Sequence, residues 1–415
     1  MLKTILPLYI FSFFMIMPVV GVFPVLPLIR DDLSISYSQI SIFVASLGIV
    51  RICFAFPSGV LADKFDKKKI LLLSALLSLS GLILLSFSHS IYQLVFSRVL
   101  IGAGSILSSI TILVLLAQEA SPQKKGVIMS MSNVVHSSGY IISSALVGAL
   151  AQWYHWRIPF FVLAGFILAS CFLVTITFTG KRRPERIALE TADMEPNDRA
   201  KESPGTNISG LVPVFVVSFF AFFYRGGFRH TLIPFYGKEV FQINVMDLGF
   251  YLSLMGIVSI ANLLVFGVLS DRYGRKIVTI LGLFFSFAAV GALILPESFY
   301  PFLMSCVLVG LGSTVNSMPN VLISDFAPRA VLGRVMGINR LFSNLGYFVG
   351  ASLTGAMLDH FGFRVPLYLL MAFCLLVLVL SCFHIHDKNR YVSQQMAGTA
   401  YGYQRPCAPD SNERY

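Results

Sequence analysis

Charge is what this 415-residue sequence has least of: 12% of its residues are Asp, Glu, Lys or Arg, against 56% hydrophobic. A soluble domain carries roughly 25% charged residues, so water cannot be the solvent for most of this surface. The six cysteines (Cys53, Cys171, Cys306, Cys374, Cys382 and Cys407) follow no pairing pattern and mostly fall inside apolar stretches. That excludes a disulfide framework and offers no metal-ligand spacing. A phosphate-binding loop of the Gly-x-x-x-x-Gly-Lys-Ser/Thr kind is missing, which argues against ATP hydrolysis by this chain. The apolar stretches also lack paired carboxylates and Ser/His/Asp or Cys/His arrangements, so a membrane-embedded enzyme such as a lipid-modifying transferase has no machinery here. All 20 Asp and Glu fall in loops, tails or the ends of apolar runs, with Asp31 and Asp32 just past the first run and Glu119 and Asp325 ending later ones.

What the chain has in abundance is long apolar runs, and its mean hydropathy is +0.78. Crossing a bilayer takes about 20 apolar residues, and twelve stretches qualify: 5–28, 38–61, 70–87, 91–117, 126–152, 158–179, 211–236, 246–270, 277–295, 299–324, 333–358 and 365–384. They end on turn or charge signals and do not alternate with a period of two, so a β-barrel fits poorly. The first run is too long for a signal-peptide core and has no small-residue cleavage site, so it is read as retained. A formal net charge of +11 could suggest nucleic acid, but its placement points elsewhere. With a cytoplasmic N-terminus, 22 Lys and Arg fall on the inner side and 4 (Arg30, Arg157, Lys238, Arg364) on the outer. The positive-inside rule thus predicts both termini in the cytoplasm of a cell membrane, most simply a bacterial inner membrane.

The stretch Gly59-Val60-Leu61-Ala62-Asp63-Lys64-Phe65-Asp66-Lys67-Lys68-Lys69 recurs 208 positions later as Gly267-Val268-Leu269-Ser270-Asp271-Arg272-Tyr273-Gly274-Arg275-Lys276-Ile277. Arg98–Ser105 matches Cys306–Ser313 at the same offset; Gly139-Tyr140 matches Gly346-Tyr347 and Trp156-Arg157 matches Phe363-Arg364 at 207. Together and in order these establish an internal repeat of six helices, whose interface is where a carrier's substrate site lies. Residues 1–180 form the first six-helix bundle and 211–384 the second. Between them 181–210, with Pro184, Pro196 and Pro204 and mixed charges, reads as a flexible cytoplasmic linker, and 385–415 as a disordered tail.

A charged turn duplicated at this separation resembles the cytoplasmic signature loop of the major facilitator superfamily, found between its second and third and its eighth and ninth helices. The resemblance covers roughly residues 1–385. It implies an all-α membrane protein of twelve helices in two pseudo-symmetric six-helix bundles, working as a monomeric secondary transporter of the drug or metabolite exporter kind. It also implies a conformational latch built from Gly59, Asp63, Gly267, Asp271, Arg272, Gly274 and Arg275. Glycines 59 and 267 would let helices approach closely. Asp66 replaces the glycine of the second copy, which makes the second latch the stronger expectation.

Once those 26 basic residues are set aside, Arg334 at the inner edge of its run among them, five arginines are left inside the runs: Arg51, Arg98, Arg225, Arg229 and Arg340. Each would cost about 2.5–3.5 kcal/mol facing lipid, so they are expected to face a cavity or each other. Arg225 and Arg229 are four apart on one helix face, with Gly226 and Gly227 between them to leave room for a ligand. Arg98, in Arg-x-x-x-Gly-x-Gly, resembles the fourth-helix motif of proton-coupled members; Arg340 reads as structural. A cavity with several arginines and no carboxylate attracts anions. The first run has none, although exporters of cationic drugs commonly carry one there. His136, with Asn133 and Tyr140 on its face, is the best internal proton carrier, and His230 a weaker one. Asn316 and Asn320 flank Pro319 and either bind substrate or tie helices together. The expectation is proton-coupled export of a small anionic or zwitterionic metabolite, chelator or drug-like compound by alternating access. Substrate would be lined by Arg51, Arg98, Arg225, Arg229, Asn316 and Asn320, and the proton carried by His136 with Arg98. Neither cofactor, metal nor nucleic acid is expected; the partners are the substrate, the proton and the lipid bilayer. Uptake of an organic acid and a non-transporting membrane sensor remain as alternatives, and the fifth helix lacks the Gly-Pro pair of many exporters.

Overall fold

The computed structural model describes residues 2–120, 125–177, 211–295, 299–327 and 331–384. The linker at 181–210 and the tail at 385–415 lie outside the described residues, as do the side chains of Asp63 and Asp271. Among the described residues, twelve helices are long and apolar enough to span a membrane: α1 Ile5–Leu33, α2 Tyr37–Ala62, α3 Lys67–Ser86, α4 Ile91–Glu119, α5 Val127–Trp153, α6 Ile158–Thr177, α7 Val212–Glu239, α8 Val245–Ser270, α9 Arg275–Ile294, α10 Tyr300–Phe326, α11 Leu332–Phe361 and α12 Arg364–His384. Large apolar side chains such as Phe172, Leu264 and Leu376 stand exposed on the outside of the bundle, where lipid is their solvent. No strand occurs among the described residues.

Local chemistry places the helix ends. Ser36 begins α2 with a reciprocal cap, its Oγ accepting from Gln39 N at 3.2 Å while Gln39 Oε1 accepts from Ser36 N at 3.0 Å. Asn244 caps α8 by accepting from Asp247 N at 2.8 Å. The two signature turns close differently. Asp66 has φ −61° and caps α3 by accepting from Lys68 N at 2.9 Å, whereas Gly274 sits at φ +99°, a backbone glycine reaches most easily. The two copies therefore do not share a left-handed turn; a side-chain cap does in the first what backbone freedom does in the second.

The repeat is visible in the packing. A Cβ on Gly102 of α4 would meet the side chain of Val50 of α2 at 3.0 Å, and one on Gly310 of α10 would meet that of Val258 of α8 at 2.6 Å. Gly104 fits against Ser78 of α3 as Gly312 fits against Ser286 of α9. Each partner pair is 208 residues apart. Small residues here let backbones touch, which is how helices associate in lipid.

The halves meet chiefly along α2 with α11 and α5 with α8. Gly355 abuts Ser41, and a Cβ on Gly48 would lie 2.8 Å from Asn344 O. On the other pair, a Cβ on Gly148 would lie 2.9 Å from Gly249 Cα, and Ser253 Oγ donates to Ile141 O at 2.7 Å. These contacts run from the face opposite the signature loops to about mid-depth. Polar bonds finish the seal. Arg30 Nη1 lies 2.6 Å from Glu239 Oε1, Tyr37 Oη bonds Glu239, and Asp359 accepts from the backbone N–H groups of Tyr37 and Ser38 at 2.8 Å each. Towards the signature loops a Cβ on Gly59 or Gly267 would meet nothing within 4 Å. The close helix approach expected at those two glycines is absent from this conformation.

Candidate substrate-binding site

Among the described residues, three helices lose their regular hydrogen bonding near the centre. In α1, Pro24 and Pro27 cannot donate to the carbonyls four residues back, and the chain passes through a tight turn at Phe23–Val25. In α7, Pro234 likewise withdraws a donor. Arg225–Leu232 opens into a wide turn, with Ile233 N bonded to Phe228 O and Thr231 Oγ1 donating to Gly226 O at 2.9 Å. Pro319 follows a tight turn at Ser313–Asn316 in α10. Broken helices inside a membrane bundle are tolerated where they line a cavity, and they turn side chains and backbone groups towards it.

The wide turn of α7 presents Arg225, Arg229 and His230. His230 is buried; its Nε2 lies 3.2 Å from Tyr140 Oη of α5 and its Nδ1 2.9 Å from Tyr347 Oη of α11. Its ring stacks on Phe23 with centroids 3.9 Å apart. Arg229 is buried with its guanidinium 4.9 Å from the centre of the Tyr140 ring, and its Nε has no hydrogen-bond partner. Arg98 of α4 is fully buried between Phe23 and Phe43, at 5.6 and 5.4 Å from their ring centres. Its Nη1 reaches Pro18 O at only 3.5 Å, while Nε and Nη2 have no partner. Arg51, half-buried on α2, lies in electrostatic range of Arg98, Tyr347 and Arg340. Arg51, Arg98, Arg225 and Arg229 all act on His230. Among the described residues the buried basic side chains are Arg98, Arg229 and His230, and no carboxylate is buried with them.

A pocket between α7, α9 and α10 is lined by Tyr224, Arg225, Arg229, Ser286, Ser313 and Asn316. Tyr224 Oη and Asn316 Oδ1 are buried there without partners. Asn316 thus joins the arginines, while Asn320 does not: its Oδ1 accepts from Asn339 Nδ2 at 3.0 Å, and Asn339 Oδ1 in turn accepts from Ser218 Oγ at 2.5 Å. Asn320 ties α10 to α11 and α7. Gly226 and Gly227 face α11, where a Cβ would collide with Tyr347 O and with Gly350 O. They bring α7 against α11 and leave no room for a ligand, correcting the role expected from their position between two arginines. His136 is half-buried, with Arg51 the charge acting on it. Its helix neighbour Tyr140 turns instead to His230, which the sequence ranked second. One signal for His230 was present: Tyr140 and Tyr347 are repeat partners at an offset of 207, the offset that also relates Phe23 to His230.

At the second signature loop, Arg275 Nε pairs with Asp325 Oδ2 at 3.0 Å, and its Nη1 donates to Ser270 O at 2.6 Å, joining the loop to the end of α10 within one half. Arg272 is exposed beside Tyr273, 5.7 Å from its ring centre. Asp63 and Asp271 are helical, with side chains outside the described set.

The family model of the major facilitator superfamily matches residues 8–265 and 214–401. The chain belongs to the major facilitator superfamily. Its relatives in the superfamily include the hexuronate transporter of Bacillus subtilis, 25% identical over 360 residues, which span 81% of this chain and 83% of that one. The multi-drug resistance efflux pump PmrA of Streptococcus pneumoniae is 25% identical over 367 residues, 84% and 87% of the two chains. The quinolone resistance protein NorA of Staphylococcus aureus is 23% identical over 400 residues, 95% and 100% of the two. Among solved structures, a bacterial homolog of the human lysosomal transporter Spinster, in an inward-facing and unoccupied conformation, superposes with a TM-score of 0.77 at 13% identity, covering 92% of this chain and 96% of that one. A D-xylose-proton symporter gives 0.74 at 15% identity, covering 93% and 98%. As a superfamily member the chain is a multi-pass membrane transporter and not an enzyme.

Proposed function

We propose that the chain carries a small organic anion or zwitterion across the membrane by alternating access, binding it between Arg98 on one half and Arg225 and Arg229 on the other. The observation that carries this reading is that Arg98 Nε and Nη2 on one half and Arg229 Nε on the other are buried without hydrogen-bond partners, with no buried carboxylate among the described residues to take them up. An unmade hydrogen bond on a buried cation costs more than on a neutral group, so a carboxylate or phosphate is the ligand that recovers most. The signature loops lie in the cytoplasm on this reading, as the 22 to 4 distribution of basic residues requires. The state described is then inward-facing, sealed outside by Arg30, Tyr37 and Glu239. The working unit is a monomer, and the proton is the coupling ion.

Export and uptake are two directions of one reversible cycle, and the sign of proton coupling chooses between them. The efflux-pump relatives support export of a drug-like compound; the hexuronate relative supports an organic acid as cargo. The test is counterflow in proteoliposomes with carboxylate, phosphate, zwitterionic and cationic compounds, for the native chain, Arg225→Ala and Arg229→Ala. Anion exchange that both variants abolish is expected. Exchange of cations, or anion exchange indifferent to both arginines, would overturn the proposal and leave the arginines as packing elements.

A further inference from the structure

Phe23 and His230 stand 207 residues apart, the same offset that relates Tyr140 to Tyr347, so all four belong to two repeat-related pairs. The structure brings them into one cluster. His230 bonds both tyrosines, at 3.2 and 2.9 Å, and stacks on Phe23. A ring in contact with its own repeat partner, and with both members of a second pair, lies close to the axis that relates the halves. That axis is where a rocking carrier changes least in position and most in environment. It is also where the symmetry is broken: the first half places a phenyl ring and the second an imidazole.

We infer that His230 is the proton carrier of this transporter and takes its proton together with the anion, so that proton and substrate travel in the same direction. The inference rests on the anion reading above and adds to it the site of coupling and its sign.

The groups facing His230 are Tyr140 from α5, Tyr347 from α11 and Phe23 from α1. The charges acting on it are Arg51 from α2, Arg98 from α4, and Arg225 and Arg229 from its own helix. A neutral imidazole has one N–H and one lone pair, so it satisfies the pair of tyrosines by donating to one and accepting from the other. A protonated ring donates to both, which the tyrosine oxygens also permit, so the clasp across the halves survives either way. What changes is the charge. A proton on His230 adds a fifth cation to four guanidinium groups, with no buried carboxylate among the described residues to offset them. An anion seated on the unpaired donors of Arg98 and Arg229 removes that repulsion, and the proton arrives from the water of the open face onto the ring nitrogen. Linkage makes the effect reciprocal: whatever factor the anion contributes to proton binding, the proton returns to anion binding. A site that fills with both and empties of both is a cotransporter. With protons more concentrated outside, it drives uptake, which reverses the export expected from the sequence.

Calorimetric titration of the purified full-length protein, in two buffers of different ionisation enthalpy, reads anion binding and proton uptake in one experiment. Glucuronate, citrate, benzoate and inorganic phosphate serve as probes. Binding by one of them with uptake of close to one proton is expected, its affinity rising about tenfold for each unit the pH falls across the window of uptake. In His230→Gln, which keeps a donor and an acceptor but cannot titrate, binding should persist with no proton taken up and an affinity flat with pH. His230→Asn serves the same purpose if the glutamine variant does not fold. Proton release on anion binding, no proton exchange, or uptake unchanged in both variants would overturn the inference while leaving the anion reading intact. Failure of every anion to bind, or binding that survives Arg229→Ala, would sink the anion reading and this inference with it.

Discussion

Glu239→Gln should tip the carrier towards the state open on the sealed face. Glu239, at the end of α7, receives Arg30 Nη1 at 2.6 Å and the hydroxyl of Tyr37, while the Arg30 guanidinium lies 4.3 Å from the Tyr37 ring centre. Arg30 and Tyr37 belong to one half and Glu239 to the other, so these bonds exist only while that face is closed. The side chains of Arg30 and Glu239 are 20% and 26% exposed, which places the pair between a surface ion pair worth about 0–1 kcal/mol and a buried one whose disruption costs about 3–5 kcal/mol. Arg30 keeps a second partner, Asp31 at 2.8 Å, so glutamine leaves no charge stranded. A loss of roughly 1.5 kcal/mol follows, which is about a tenfold rise in the ratio of outward-open to sealed carrier. Ser41 reports it: the residue is fully buried against Gly355 in the seal. In cells carrying Ser41→Cys with the native cysteines replaced, a membrane-impermeant maleimide added outside should label about ten times faster once Glu239→Gln is introduced. Arg30→Ala should act in the same direction, and the double variant should fall well short of the sum, because both remove one bond. Unchanged or slower labelling would refute the idea that this cluster holds the face closed.

At the α5–α8 crossing, Gly148→Val should wedge the same face open, since even the first added carbon would lie 2.8 Å from Val245 O. Transport should fall at least about tenfold while Ser41→Cys labelling rises; normal counterflow would show that the crossing tolerates separation. Arg98→Lys keeps the charge but loses the planar fork between Phe23 and Phe43, so anion affinity measured by calorimetry should drop about tenfold or more. Asp325→Asn removes the partner of Arg275, a pair about a quarter exposed, and should cost about 0.5–1 kcal/mol. A drop of roughly 1–2 °C in the melting temperature with slower counterflow is the expected pattern, and unchanged counterflow would show that this pair has no part in the cycle.

The superfamily and its twelve spans were legible in the sequence because both depend on one-dimensional quantities. Run length against bilayer thickness gives the helices, and the recurrence of Gly59–Lys69 at Gly267–Ile277 gives the two halves. The arginines were legible for the same reason, since a charge in an apolar run must find company wherever the fold places it. Which companions they find was not. Gly226 and Gly227 read as space beside two arginines because helical spacing says which residues share a face but not which helix that face meets. α11 occupies it. His136 outranked His230 because depth along a helix was the only measure to hand, while the wide turn at Arg225–Leu232 and the crossing of α5, α7 and α11 set His230 between Tyr140 and Tyr347. The sealed face was equally hidden: Arg30, Tyr37, Glu239 and Asp359 come from four helix ends up to 329 residues apart, ordinary polar residues beside loops until the fold joins them. Composition and repeat thus determined the solvent and the span count. Tertiary structure alone decided which half each charge answers to, because a contact between two rigid bundles depends on how they are docked and leaves no period in the chain.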